Sequence, residues 1–189
     1  MARRVQLAAW RFGLLLFFLA LPASLPAYAT QPAPGSCADS AIPAEHRKEA
    51  HELLQRVNAG PFYKELARSR GTPATCRISA DEANLTLIYE FRGNARLEAK
   101  SNSSIEYSQQ RMELTGLTRA RALALLKANE KHSWGAKGCG INWLRPDEEQ
   151  PGKEPGSREV VYRGSSCNCQ GRLVYAKNLV VALVSSSAC

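Results

Sequence analysis

Cys167 and Cys169 are separated by one residue, and that spacing limits how the chain can be cross-linked. On an extended strand, side chains two apart point to the same face, and closing them into one ring strains the disulfide. Each is therefore expected to bond elsewhere. We expect Cys139 and Cys189 each to pair with one of Cys167 and Cys169, and Cys37 to pair with Cys76 across the N-terminal helical region. All six cysteines are read as structural. A metal site is disfavoured because Cys-x-Cys is not the Cys-x-x-Cys zinc spacing and no histidine falls nearby in sequence. A redox pair is disfavoured because no Cys-x-x-Cys opens a helix. No cofactor is expected.

The compartment follows from the N-terminus. Arg3, Arg4 and Arg11 precede and flank the apolar run Phe12–Leu21. Pro22 and Pro26 follow, and then Ala27-Tyr28-Ala29, an A-x-A cleavage site. Residues 1–29 read as a cleaved signal peptide, 30–43 as a flexible leader and 44–189 as a single secreted domain with cysteine-rich C-terminal strands. The apolar run is too short to span a bilayer, so no integral span is expected after cleavage. All the cysteines lie beyond it, which fits an oxidising compartment, periplasmic or secreted, of a bacterial type. Cleavage leaves 22 basic and 17 acidic residues, a net charge of +5 in place of +8. That charge favours anionic surfaces mildly and does not by itself call for nucleic acid.

The fold class follows from periodicity. Ala50, Leu53, Leu54 and Val57 form one helical face, Gly60-Pro61 interrupts it, and Phe62, Tyr63 and Leu66 suggest a short second helix ending near Gly71. Leu85, Leu87, Tyr89 and Phe91 alternate with polar neighbours as a half-buried strand, and Ala95, Leu97 and Ala99 alternate again. A three-residue loop, Arg92-Gly93-Asn94, pairs Phe91 with Ala95 and Glu90 with Arg96. A longer loop would oppose Glu90 to Glu98, and a shorter one would mix the two faces.

Ser104–Leu114 reads as a third strand with a bulge near Gln109-Gln110, where the apolar phase slips. Thr118 caps a helix from Arg119 to about Lys131, with Leu123 and Leu126 inward. Ile141–Leu144, Val160–Tyr162, Leu173–Tyr175 and Leu179–Val184 read as strands, and Pro146–Ser157 as a solvated loop. The class is α+β: an antiparallel sheet with two main helices packed on one face, disulfide-stabilised.

No catalytic signature stands out. His46 and His51 are five apart, about 140° around a helix, and cannot share a ligand as an i, i+4 pair would. The Gly135–Gly140 stretch lacks the strand-to-helix context of a phosphate loop, and no Gly-x-Ser-x-Gly elbow exists. One charge asymmetry remains. From Arg111 to Lys137 there are six basic residues against Glu113 and Glu130. Arg119, Arg121, Lys127, Lys131, Trp134 and Lys137 are the candidate contacts for an anion or partner.

The expectation is an exported binding or inhibitor-type module without catalysis, acting on a protein or an anionic envelope polymer rather than nucleic acid. Pro146–Ser157 and the turn at Trp134 are its expected contact elements. The alternative is a small, basic, ribonuclease-like secreted hydrolase, which needs Glu90, Arg96 and His132 in one cleft.

Overall fold

Helix α1 (Arg47–Ala59) follows a single 3-10 turn, Ala44–His46, and buries Ala50, Leu53 and Val57, the stripe that the 3.6-residue period marks. The computed structural model describes residue 37 and residues 42–134, 139–153, 155–165, 168–176 and 179–186. Gly60 is extended and ends α1; Pro61 opens α2 (Pro61–Arg70), because its fixed φ and missing N–H suit the first helical position. Gly71, with φ 81°, ends α2.

Four strands follow as a meander: β1 (Thr75–Asp81), β2 (Asn84–Phe91), β3 (Ala95–Asn102) and β4 (Tyr107–Thr115). Helix α3 (Arg119–Trp134) is capped by Thr118, whose hydroxyl oxygen accepts from the Arg121 N–H at 3.2 Å. A second meander comprises β5 (Glu148–Pro151), β6 (Arg158–Arg163), β7 (Gln170–Tyr175) and β8 (Leu179–Ser186). The eight strands form one antiparallel sheet in the order β1-β2-β3-β4-β8-β7-β6-β5, so the last strands of the two meanders meet in the middle. Among the described residues a helical segment followed by four strands thus occurs twice, a repetition of topology that the sequence does not announce.

The β2–β3 register is the one charge and face arguments select. Arg92-Gly93-Asn94 is the loop, with Gly93 and Asn94 at positive φ, and Glu90 faces Arg96. Those two do not bond each other: Glu90 accepts from Arg77 at 2.8 Å, and Arg96 donates to Glu98 at 2.8 Å.

Several expectations need correction. There is no bulge in β4, whose pairing with β3 runs in unbroken register from Asn102↔Tyr107 to Arg96↔Glu113. The slip in apolar phase arises because Gln110 is itself an inward residue, 2 % exposed, in phase with Met112 and Leu114. It is buried because it is bonded, accepting from Asn129 Nδ2 and donating to Ser133 Oγ, both at 3.2 Å. Ile141–Leu144 is not a strand; only a bridge from Ile141 to Gly164 forms there. Pro146–Ser157 is not all loop, since Glu148–Pro151 pairs with β6 as an edge strand. On α3 the buried apolar residues are Ala122, Leu125 and Leu126, with Leu123 only half-buried. Strand β1 was not anticipated, because as an edge strand it fully buries only Ile78.

The structure has Cys37–Cys76 and Cys139–Cys169 disulfides, and no free cysteine among the described residues. Cys167 and Cys189 lie outside those residues. Cys37 and Ile42 are core members, so the segment ahead of α1 is held against the domain at both. Phe62, Leu66, Tyr89, Leu97, Met112, Leu126 and Leu173 are the large side chains at the centre. Tyr89 donates to Asn58 of α1 at 2.6 Å and meets Tyr63 of α2 edge-on at 5.1 Å. Burial raises the Tyr89 hydroxyl to about 12, against the opposing effect of the Asn58 hydrogen bond. No helix among the described residues is long and apolar enough to cross a membrane.

Candidate functional site

The basic residues singled out on α3 do not form one patch. Arg119 and Arg121 are about 200° apart around the helix axis and face different elements. Arg119 lies over the Tyr175 ring at 5.1 Å, donates to its hydroxyl at 3.3 Å and sits 3.6 Å from Glu149. That guanidinium ties the start of α3 to β7 and β5. Arg121 turns to α2, where it meets Glu65 at 2.7 Å. Lys127 is half-buried and Lys131 exposed. Lys137 and the side chain of Trp134 lie outside the described residues.

The surface that does gather charge is the groove between α2 and α3, around Glu65. Glu65 is only 3 % exposed and accepts from both Arg68 and Arg121. Burial pushes its carboxyl up, but the hydrogen bonds and charges of Arg68 and Arg121 outweigh that and hold its pKa below the ordinary value. Two open depressions share Glu65, Arg68 and Arg121. One, of about 410 Å³, is polar and runs to Arg70, Gly116 and Thr118. Arg70 crosses it to donate to the Thr115 carbonyl at 3.0 Å. The other, of about 290 Å³, is walled by Pro61, Lys64, Ala124, Leu125 and Ala128.

Lys64, Arg68, Arg70 and Arg121 therefore surround a groove whose one lining carboxylate is already committed to two of them. Arg68 and Arg121 remain 69 % and 51 % exposed, leaving donors for a ligand. The arrangement suits an anion at one end and an apolar group beside it. The first turn of α3 carries no acid to offset its dipole, which adds to the positive potential. Sequence reading missed Lys64, Arg68 and Arg70. The signal was the short run Lys64–Arg70, three cations and one acid on a helix, but its relation to Arg121 lies in the tertiary structure.

Glu65 gives a pH prediction. A depressed folded pKa means the carboxylate contributes stability above its unfolded value, near 4.3, and loses it as pH falls through the folded value. Glu65→Gln should therefore be less stable than the parent at pH 7, and the gap should close below about pH 4. Thermal unfolding at a series of pH values measures this; a gap of constant size from pH 7 to 3 would contradict it.

The residues of a ribonuclease-like site are not assembled. Glu90 and Arg96 alternate with the buried Tyr89 and Leu97, so they point away from the face that Tyr89 offers to α1. His132 Nε2 donates to the Arg56 carbonyl at 2.8 Å, joining the ends of α3 and α1. His46 is 3.7 Å from Glu49, and His51 bonds Gln55 at 2.7 Å. Among the described residues no group of three His, Cys, Asp or Glu side chains is placed to hold a metal ion.

Compared with protein-family models, curated proteins and solved structures, the chain matches none of them.

Proposed function

We propose that the protein is an exported, disulfide-stabilised binding or inhibitor-type module that acts on a periplasmic or extracellular partner without catalysing a reaction. Residues 1–29 serve as its export signal, and the two disulfides are consistent with an oxidising destination. In this reading α1 and α3 pack on one face of the sheet. The Tyr89–Asn58 and Gln110–Asn129 bonds support that, since Tyr89 and Gln110 share a face by register.

The observation that carries the reading is the α2–α3 groove, where four cations surround one already-paired carboxylate beside an apolar depression. It accommodates an acidic protein segment that carries an apolar side chain next to its carboxylates. An anionic polymer without apolar groups would fill only the polar half.

A peptide of alternating glutamate and leucine tests this by fluorescence anisotropy. The parent should bind more weakly as salt rises. Lys64→Glu combined with Arg68→Glu, on exposed positions, should cost at least tenfold in affinity, about 1.4 kcal/mol. Poly-glutamate should bind less tightly than the mixed peptide. Equal affinity in parent and variant would remove the groove as the site.

A further inference from the structure

The sheet ends in β1 on one side and β5 on the other, and the two edges are built differently. Strand β5 is four residues long, ends in Pro151 and begins with Glu148 and Glu149. A short strand, a proline and like charges all discourage an edge from pairing with another chain. Strand β1 is seven residues long and has no proline. It pairs with β2 in unbroken register from Thr75↔Glu90 to Asp81↔Asn84. A strand with one antiparallel neighbour spends the N–H and C=O groups of alternate residues on it and points the others outward. Strand β1 therefore offers a row of backbone donors and acceptors with no strand paired to it among the described residues.

Its side chains limit what can lie there. Ile78 and Ala80 sit opposite Leu87 and Leu85 on the face that holds the core, while Arg77, Ser79 and Asp81 are exposed on the other face. Arg77 meets Glu90 at 2.8 Å with both side chains largely in solvent. Asp81 is in no ion pair among the described residues. A second copy of this chain supplies the missing partner. When two β1 strands pair antiparallel with Ser79 opposite the copy's Ser79, each Arg77 faces the other chain's Asp81, and each Ile78 faces Ala80. Centring the pairing on Arg77 would oppose the two guanidinium groups, and centring it on Ile78 would set Arg77 opposite Ser79. The Ser79 register also leaves Cys76, which carries the disulfide to Cys37, outside the five paired residues. The chain's own residues 30–36 fit the edge less well, because Pro32 and Pro34 lack the N–H that a ladder uses.

We propose that β1 is a self-association edge: residues 77–81 of two copies pair antiparallel about Ser79 and join two eight-stranded sheets into one, with an Arg77–Asp81 ion pair on each side of the axis. This edge uses none of the α2–α3 groove residues and does not depend on the binding reading.

Sedimentation velocity of the full chain over a range of concentrations tests it. A five-residue ladder is at the small end of specific interfaces, so the parent should be a dimer when concentrated and dissociate on dilution. Asp81→Arg and Arg77→Asp each set like charges opposite one another twice, and each should weaken self-association by about tenfold or more. The double variant Arg77→Asp, Asp81→Arg restores opposite charges and should return self-association towards the parent's. Ser79→Cys should form a covalent dimer on mild oxidation, because directly opposed residues lie within disulfide reach, and Arg77→Cys should not. All these positions are exposed, so the variants should unfold near the parent's temperature. The Lys64→Glu, Arg68→Glu variant should associate as the parent does, so failure of the groove and failure of the edge are told apart. A monomer at every concentration, which would leave the edge to an extended segment of another protein, would overturn the proposal. So would a dimer that Asp81→Arg leaves intact, a double variant no better than the single ones, or a Ser79→Cys chain that does not cross-link.

Discussion

Replacing Glu130 by alanine is expected to destabilise the protein by about 3–5 kcal/mol, the largest loss we anticipate from any polar residue. Glu130 is 4 % exposed, and its carboxylate gathers the N–H groups of Cys139, Ile141 and Trp143. Cys139 is 6 % exposed and Ile141 7 %, so little water can replace the lost acceptor. An unmade buried hydrogen bond costs roughly 1–3 kcal/mol, and partial relaxation keeps the total below the sum of three. Glu130→Gln keeps the shape and one acceptor oxygen and should lose less. Denaturant unfolding followed by tryptophan fluorescence measures both. A loss under about 1 kcal/mol for the alanine variant would show that the 139–143 segment is held by something else.

Gly171→Val is expected to be the most damaging change in the strands, costing about 1–3 kcal/mol or more. Gly171 is buried on β7, and the Trp143 indole lies against its backbone, so that a Cβ there would overlap the ring. Any side chain must push the indole away, which also draws its N–H from Glu130 and parts it from Tyr162. Tryptophan emission should shift to the red and near-ultraviolet circular dichroism should weaken, while far-ultraviolet dichroism stays near the parent's. The Glu130→Ala, Gly171→Val double variant should lose less than the two single losses added, because both act through Trp143. Strict additivity would show that they do not.

Legibility differed from element to element for physical reasons. Helix α1 and strands β2 and β3 could be read because each buries one face, and burying one face imposes a period of 3.6 or 2 on the apolar residues. The β2–β3 register could be read because a one-residue slip would have put Arg96 against Phe91. Edge strands β1 and β5 bury little, and so leave little pattern. At β4 the pattern misled: Gln110 is inward and polar, and its partners Asn129 and Ser133 come from a helix many residues further on. Trp143 looked like part of a strand, whereas it is a ring fitted to a glycine and a buried carboxylate.

The candidate surfaces divide in the same way. That the chain is basic, and that α3 is rich in cations, was plain from composition. Which cations act together was not. Arg119 went to Tyr175, and Arg121 to Glu65, joining Lys64, Arg68 and Arg70 on a helix that the sequence marked only by its apolar residues.

By itself, the order of residues determined the class of fold, the placement of the three helices and most of the strands among the described residues, and the register of the β2–β3 hairpin, because these depend on local propensity and on which face of each element is apolar. Only the tertiary structure decided that two four-strand meanders join through β4 and β8, and that four separate cations share one groove. Those are meetings of residues far apart in the chain, which no periodicity within a single element encodes.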